Sequence, residues 1–245
     1  MNYLRFTAIA ALGISVAACT DGGAASPRRV LTAVSVSLEA VSIEVGQTMT
    51  ATIAAFDQDG APITSHAPDW SSDAPAVARI DPASGRVLAL APGTTRIVAI
   101  VSGVVGERVV TVVNPPPVRI NEIEPAANRT RGWVELFNPA AEPVDVSGWT
   151  VNDDTFLGAT FTIASRTTIA AGGFLVLEGS SLPFILDATD DVRLFSRFGA
   201  QVDRLFWTVP SATPNGRCPD GTDVFVPTSA ATKGSRNACA LTQER

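Results

Sequence analysis

Residues 48–55 read TMTATIAA, so that threonine alternates with apolar residues along most of the segment. Successive side chains of a β-strand point to opposite faces of a sheet, and this alternation therefore predicts a strand with one buried face. The same two-residue period recurs in residues 34–38 and 97–101, and residues 109–113 form a nearly continuous apolar run. No segment keeps a helical period of 3.6 residues. The sequence therefore predicts an all-β fold.

Turn-forming sequences separate these strands at short intervals. They are Val45-Gly46-Gln47, Asp57-Gln58-Asp59-Gly60, Pro82-Ala83-Ser84-Gly85 and Ala91-Pro92-Gly93. About seven short strands in residues 30–113 predict an antiparallel sandwich.

The same part of the chain resembles the bacterial Ig-like group 2 domain. The similarity follows the whole module in order, through residues 45–47, 57–63, 70–73, 77–78, 85–87 and 91–97. This resemblance implies an Ig-like spacer or adhesion module without enzymatic activity. Within it, we predict that Trp70 fills the core rather than forming an exposed binding platform. His66, the only histidine, is predicted to be solvated in a polar loop.

A proline-rich linker separates this module from a second one. Asn114-Pro115-Pro116-Pro117 favours extended backbone and removes amide donors, so no strand should run through residues 114–117. Beyond the linker, alternation resumes in residues 133–137 and 174–177, and residues 192–205 predict a hairpin around the turn Arg197-Phe198-Gly199.

The second module, residues 118–240, resembles the lamin tail domain, which is an Ig-like sandwich. The matching pieces are residues 119–123, 133–138, 144–149, 152–154, 169–174 and 216–221. Ala231-Thr232-Lys233-Gly234 departs from the Thr-Pro-Gly type of turn usual in the family, which bears on the local turn and not on the fold. The two resemblances together imply two tandem Ig-like antiparallel β-sandwiches. In bacteria such domains occur on exported proteins, beside hydrolases or adhesive modules.

Residues 1–18 have the pattern of an export signal. Their uncharged, mostly apolar run, Phe6 to Val16, is shorter than the roughly 20 residues that a membrane-spanning helix needs. The segment ends in Val16-Ala17-Ala18-Cys19, which resembles a bacterial lipobox, so we expect lipidation at Cys19 and a flexible tether over residues 19–29. Thr20 in the next position resembles outer-membrane sorting. An ordinary secretory signal with an unmodified Cys19 is the alternative.

The other two cysteines, Cys218 and Cys239, lie 21 residues apart in the exported part of the chain. We predict a disulfide between them, which would contribute roughly 3 kcal/mol through loop closure. The chain has three cysteines, and acylation of Cys19 together with this disulfide would account for all of them. The alternative is that Cys218 and Cys239 are two free thiols.

Candidate catalytic groups are few. The sequence has no nucleophile elbow, P-loop or dinucleotide glycine pattern, and it lacks the histidines and cysteines of a usual zinc site. The remaining candidates are Glu122 and Glu135 on neighbouring predicted strands, beside Asn121, and the oxygen-rich turn Asn152-Asp153-Asp154, a weak calcium candidate. A metal-dependent hydrolase, accessory or catalytic, using Glu122, Glu135 and Asp153 is one functional hypothesis. The favoured interpretation is structural, with a capped turn and with glutamates that bind backbone amides or arginines.

Several aromatic side chains could stack on sugars or bases, but their strand positions favour core packing. They are Trp133, Trp149, Phe156, Phe161 and Trp207.

Charge argues against a nucleic-acid partner. The net charge is -6, and residues 118–245 carry eleven Lys or Arg against fifteen Asp or Glu, whereas phosphate binding needs a basic face. The favoured interpretation is a non-enzymatic lipoprotein, held to the envelope membrane by its lipid, with the outer membrane as the expected location. It would need no cofactor and would serve as a structural, adhesion or interaction module for a protein or polysaccharide ligand. Extracellular nucleic-acid or polysaccharide binding by the second module is the other alternative.

Overall fold

The computed structural model describes residues 28–64, 67–126, 132–153, 159–208 and 213–239. These residues form strands and no helix, which confirms the predicted all-β class. None of them belongs to a helix long and apolar enough to span a membrane. The predictions for the export signal, Cys19, His66, Asp154 and Phe156 lie outside the described residues.

Nine strands belong to the first module. They are β1 (Leu31–Leu38), β2 (Ser42–Glu44), β3 (Thr48–Asp57), β4 (Pro62–Ile63), β5 (Asp69–Ser72), β6 (Ala78–Ile80), β7 (Arg86–Ala89), β8 (Gly93–Val101) and β9 (Val104–Val113).

Two sheets of this module enclose one apolar core. One sheet has the order β1-β3-β7-β6 with β4 added to β3, and the other has the order β2-β9-β8-β5. Among the apolar residues of 49–55, Met49, Ala51 and Ala55 are buried and Ile53 is partly buried, whereas Ala54 and the alternating threonines are exposed. Trp70 on β5 is partly buried and packs against this core.

Eleven strands follow in the second module. They are β10 (Arg119–Glu124), β11 (Trp133–Phe137), β12 (Val144–Asp145), β13 (Thr150–Asn152), β14 (Thr160–Thr162), β15 (Thr168–Ile169), β16 (Phe174–Glu178), β17 (Asp190–Phe195), β18 (Gln201–Trp207), β19 (Asn215–Arg217) and β20 (Phe225–Pro227).

The second module is again built on two larger sheets. Their orders are β16-β11-β10-β19-β20 and β14-β13-β17-β18, and β12 pairs with β15 separately. Inward-facing residues of both, including Ile123, Val134, Trp149 and Leu194, form one buried cluster. The predicted hairpin is present as β17 and β18.

The junction between the modules is short. Strand β9 ends at Val113 and β10 begins at Arg119, so no strand runs through the prolines. Gly46, in the turn between β2 and β3, approaches the hairpin turn of the second module: a Cβ on Gly46 would lie 2.3 Å from the Phe198 carbonyl oxygen. The two modules therefore touch through backbone at this position.

Candidate functional site

A β-bulge in β10 builds a polar cluster on the outer face of the larger sheet of the second module. The register of β10 against β11 shifts between Ile120 and Glu122, which leaves Asn121 as an extra residue. A bulge changes the local alternation of a strand. Asn121 and Glu122 consequently both lie beside Glu135, while Ile120 enters the core. All three polar side chains are fully buried.

Residues 228–239, here called the C-terminal segment, cover this cluster. The hydroxyl and amide N–H of Thr232 donate to Glu122 Oε2 at 2.8 and 3.2 Å, and the Thr228 hydroxyl donates to Glu122 Oε1 at 3.3 Å. The Gly234 N–H donates to Glu135 Oε2 at 2.6 Å. The glutamates thus bind backbone amides and hydroxyls, as the structural interpretation predicts.

Asn121 and Asp220 complete the cluster. Asn121 Nδ2 donates to Glu135 Oε1 at 3.2 Å and to Asp220 Oδ1 at 3.0 Å. The same Asp220 oxygen accepts from the Asn237 N–H at 3.0 Å, and Asn237 Nδ2 donates to the Asn121 carbonyl at 3.2 Å. Side chains of β10, β11 and the C-terminal segment therefore form one continuous network.

A disulfide and an ion pair fasten the C-terminal segment from outside. Cys218 and Cys239 are bonded, with their Cα atoms 5.5 Å apart, so the structure contains the predicted disulfide. Lys233, the only lysine in the chain, donates to both Glu178 carboxylate oxygens at 2.8 and 2.9 Å. Its Nζ also lies 5.3 Å from the ring centroid of Trp133, within the range of a cation–π contact.

Burial dominates the electrostatics of the cluster. It raises the pKa of Glu135 to about 7, against the hydrogen bonds from Gly234 and Asn121, which lower it. The nearby Glu122 and Asp220 carboxylates raise this pKa further. Burial also raises the pKa of Glu122, and the bonds from Thr232 and Thr228 oppose that rise. Desolvation disfavours the charged form of each glutamate more than the donors favour it.

A second buried interaction joins the two sheets of this module. Arg217 on β19 is 4% exposed, and its Nη2 lies 3.0 Å from Asp203 Oδ2 on β18. Arg217 Nε donates to the Ile120 carbonyl at 2.7 Å, and the Ile120 N–H donates to the same Asp203 oxygen at 2.8 Å. Each charge is therefore paired and also bound to backbone, which is what a buried ion pair needs in order to be tolerated.

The residues of the hydrolase hypothesis are not brought together in one site. Glu122 and Glu135 are 0% exposed on one sheet, whereas Asn152 belongs to β13 of the other sheet, followed by the buried Asp153. No group of three or more His, Cys, Asp or Glu in the described ranges is placed to hold a metal ion. Asp154, the third residue of the calcium candidate, lies outside those ranges.

The aromatic side chains divide between the core and one exposed position. Trp133, Trp149 and Trp207 are buried, as their strand positions predict, and Phe161 packs partly buried against the core. Phe206, which was not among the predicted candidates, is 65% exposed. The sequence gives no signal for this position, because Leu205, Phe206 and Trp207 are all apolar and alternation does not show which of them faces outward. In the structure Leu205 and Trp207 are buried, which places Phe206 on the outer face.

Two family comparisons match successive parts of the chain. Residues 30–112 match the family described as bacterial Ig-like domain (group 2), and residues 111–208 match the Lamin Tail Domain family. This confirms the predicted order of the two modules. The second match ends before β19, β20 and the C-terminal segment, although β19 pairs with β10 in the same sheet. No curated protein matches the chain.

Solved structures show only distant similarity. Domains 5–6 of the S-layer protein SbsC are 16% identical with a TM-score of 0.31, covering 76% of this chain and 100% of theirs. Domains 4 and 5 of the same protein are 14% identical with a TM-score of 0.35, covering 74% and 99%. The Yersinia pseudotuberculosis adhesin InvE is 13% identical with a TM-score of 0.30, covering 76% of this chain and 61% of the adhesin. TM-scores this low do not establish a common arrangement.

The chain is thus an all-β protein in which a segment similar to bacterial Ig-like group 2 domains precedes a segment similar to lamin tail domains.

Proposed function

We propose that the protein is a non-enzymatic lipoprotein of the cell envelope. Acyl chains on Cys19 hold it to a membrane, and the first module carries the second one away from that membrane as an interaction module. The non-enzymatic part of the proposal rests on where Glu122 and Glu135 lie and what they bind. Both candidate catalytic carboxyl groups are fully buried and bound to the C-terminal segment instead of facing a substrate.

The order of the modules supports the spacer part of the proposal. The Ig-like group 2 match begins at residue 30, shortly after the lipobox-like sequence that ends at Cys19. The second module would therefore lie at the far end of the protein from the membrane. In that position the membrane would not cover the surface of the second module that a ligand would bind.

Metabolic labelling with palmitate tests the anchor. We expect the full chain to incorporate label and to fractionate with membranes, and Cys19→Ala to lose both properties, because acylation requires the thiol. Cys239→Ser is the matched control, since it removes a cysteine from the same exported chain and should keep the label. Label that persists in Cys19→Ala would contradict anchoring at this residue.

Surface protease treatment of intact cells tests the orientation. A protein facing outward should lose its second module to added protease while remaining membrane-bound. A periplasmic protein would be cleaved only after the outer membrane is permeabilised. Constitutive cleavage without membrane retention would contradict the proposal of an anchored interaction module.

A further inference from the structure

Strand β16 (Phe174–Glu178) forms an open edge of the five-stranded sheet of the second module. It pairs with β11 along its whole length without a register shift. On its other side, none of the strands in the described ranges pairs with it. Leu175 packs against the core and is nevertheless only partly buried, which agrees with an edge that no further strand covers. About half of the backbone N–H and C=O groups of β16 therefore point toward a position where another strand can add.

The other free sheet edges of the described strands are bent, charged or short, which are the usual ways in which proteins prevent edge pairing. Strand β1 has a register shift beside Ala33 and lies against β9, where a Cβ on Gly106 would be 2.6 Å from the Val34 carbonyl oxygen. Strand β18 carries Asp203 and Arg204 at its centre. The remaining edge strands have only two to four residues and are β2, β4, β5, β6, β12, β14, β15 and β20.

Strand β16 has none of these protections. Its five residues read FLVLE, with no proline, no bulge and a single charge at the last position. That charge is paired within its own chain, because Lys233 Nζ lies 2.8 Å from the Glu178 carboxylate. The flanking residues, Gly173 and Gly179, have no side chain that would keep another backbone away. Four apolar residues on an unobstructed edge are typical of a strand that pairs with another chain.

We propose that β16 pairs with β16 of a second copy of this chain, antiparallel and with the two-fold axis at Val176. This register places Phe174 opposite Glu178 and Leu175 opposite Leu177. Residues directly opposite each other lie on the same face of a sheet, so the core-facing leucines of both copies stay on one side. The two five-stranded sheets then continue into each other through backbone hydrogen bonds.

Charge and length favour a second copy as the occupant. In a parallel, in-register pair the two Glu178 side chains would be neighbours, and like charges directly opposite destabilise a sheet. In the antiparallel pair they lie at opposite ends of the strands, roughly 14 Å apart at a rise of about 3.4 Å per residue, and each faces an uncharged Phe174. The second copy also supplies a strand of equal length with apolar residues at the matching positions.

Single cysteines in β16 test both the pairing and its register. Across the proposed axis the two Val176 Cα atoms would lie about 4.5–5.5 Å apart, within the range of a disulfide. The two Phe174 Cα atoms would lie roughly 14 Å apart, beyond that range. We expect the full chain with Val176→Cys, purified in a neutral detergent and oxidised with copper phenanthroline, to form a covalent dimer, and Phe174→Cys to form little. The parent protein shows the background from its own cysteines.

Phe206→Cys is the matched control for random collisions, because Phe206 is 65% exposed but belongs to the other sheet. Paired thiols react at a high effective concentration, so Val176→Cys should cross-link at least about tenfold faster than Phe206→Cys. A mixture of Phe174→Cys and Glu178→Cys chains should give the mixed dimer, since these positions face each other. This mixture tests the same register if Val176→Cys does not fold, which urea unfolding will show.

A charge at position 174 tests the facing residue. Added to Val176→Cys, Phe174→Glu should slow cross-linking by about threefold or more relative to Phe174→Gln, because it places two carboxylates opposite each other at both ends of the pair.

Two results would overturn the proposal. Cross-linking of Val176→Cys no faster than that of Phe206→Cys would show that a second copy does not occupy this edge. Cross-linking of Phe174→Cys as fast as that of Val176→Cys would contradict the antiparallel register. Neither result depends on acylation of Cys19, which palmitate labelling measures separately.

Discussion

Replacing Glu135 with glutamine removes the carboxyl group whose burial raises its pKa from an ordinary value of 4.5 to about 7. Each pKa unit corresponds to about 1.4 kcal/mol, so this difference amounts to about 3 kcal/mol of folding free energy. Between these two pKa values the folded protein binds more protons than the unfolded chain. The free energy of unfolding should therefore fall as the pH rises from about 4.5 to about 7, with the full contribution present only at the acidic end.

Glutamine cannot ionise, so Glu135→Gln should lose most of this pH dependence. The variant should nevertheless be less stable near pH 5. Both oxygens of the protonated carboxyl group can still accept from Asn121 Nδ2 and the Gly234 N–H, whereas the amide NH2 of glutamine must face one of these donors, at a cost of about 1–3 kcal/mol. As the pH rises, the stabilities of the two proteins should converge. Some slope will remain, because burial also raises the pKa of Glu122.

Urea unfolding at several pH values between 5 and 8 measures the effect. A Trp70→Phe background restricts tryptophan fluorescence to Trp133, Trp149 and Trp207 of the second module. Glu142→Gln is the control, since it makes the same change at an exposed position of the second module that takes no part in the polar cluster. A parent protein whose unfolding free energy stays flat or rises from pH 5 to pH 8 would refute the reasoning, as would a Glu135→Gln variant that keeps the full slope.

Three further predictions concern the remaining contacts. Cys218→Ser with Cys239→Ser should lower the unfolding free energy of the second module by about 3 kcal/mol in urea, and added reductant should have the same effect on the parent protein but none on the double variant. Arg217→Met should cost about 3 kcal/mol by the same measurement, because the buried Asp203 loses its shorter ion pair and keeps only Arg119 Nε at 3.4 Å, and adding Asp203→Leu should recover part of that loss. Gly46→Ala and Gly60→Ala both replace a glycine with positive φ, but only a Cβ at Gly46 would meet Phe198 of the second module. Small-angle scattering should therefore detect a change in the arrangement of the two modules for Gly46→Ala and none for Gly60→Ala.

Alternation predicted the sheets well because it records which side of a strand is buried. The inward positions of β3 and β8 follow it closely, as Met49, Ala51, Ile97 and Ala99 show. It underestimated the number of strands in the first module, with about seven predicted and nine present. Strands of two or three residues, such as β2 and β4, are too short to show any period.

The polar cluster was only partly predictable. Glu122 and Glu135 were placed on neighbouring strands, and they are cross-strand partners. The alternation of apolar and polar residues could not predict the bulge in β10, because a register shift depends on the partner strand and not on the local sequence. Nor could it show that the outer face of β11 is buried, because the C-terminal segment that covers it lies about a hundred residues further along the chain.

The late contribution of the C-terminal segment determines where the second module can be cut. A fragment ending at residue 208, where the family match ends, would leave one edge of β10 without its partner β19. It would also leave Glu122 and Glu135 without their donors from Thr228, Thr232 and Gly234. Polypeptides are synthesised from the N-terminus, so this module reaches its final form only after residues 228–239 have been made. Until then, two carboxylates that the native protein hides are open to solvent, chaperones and proteases.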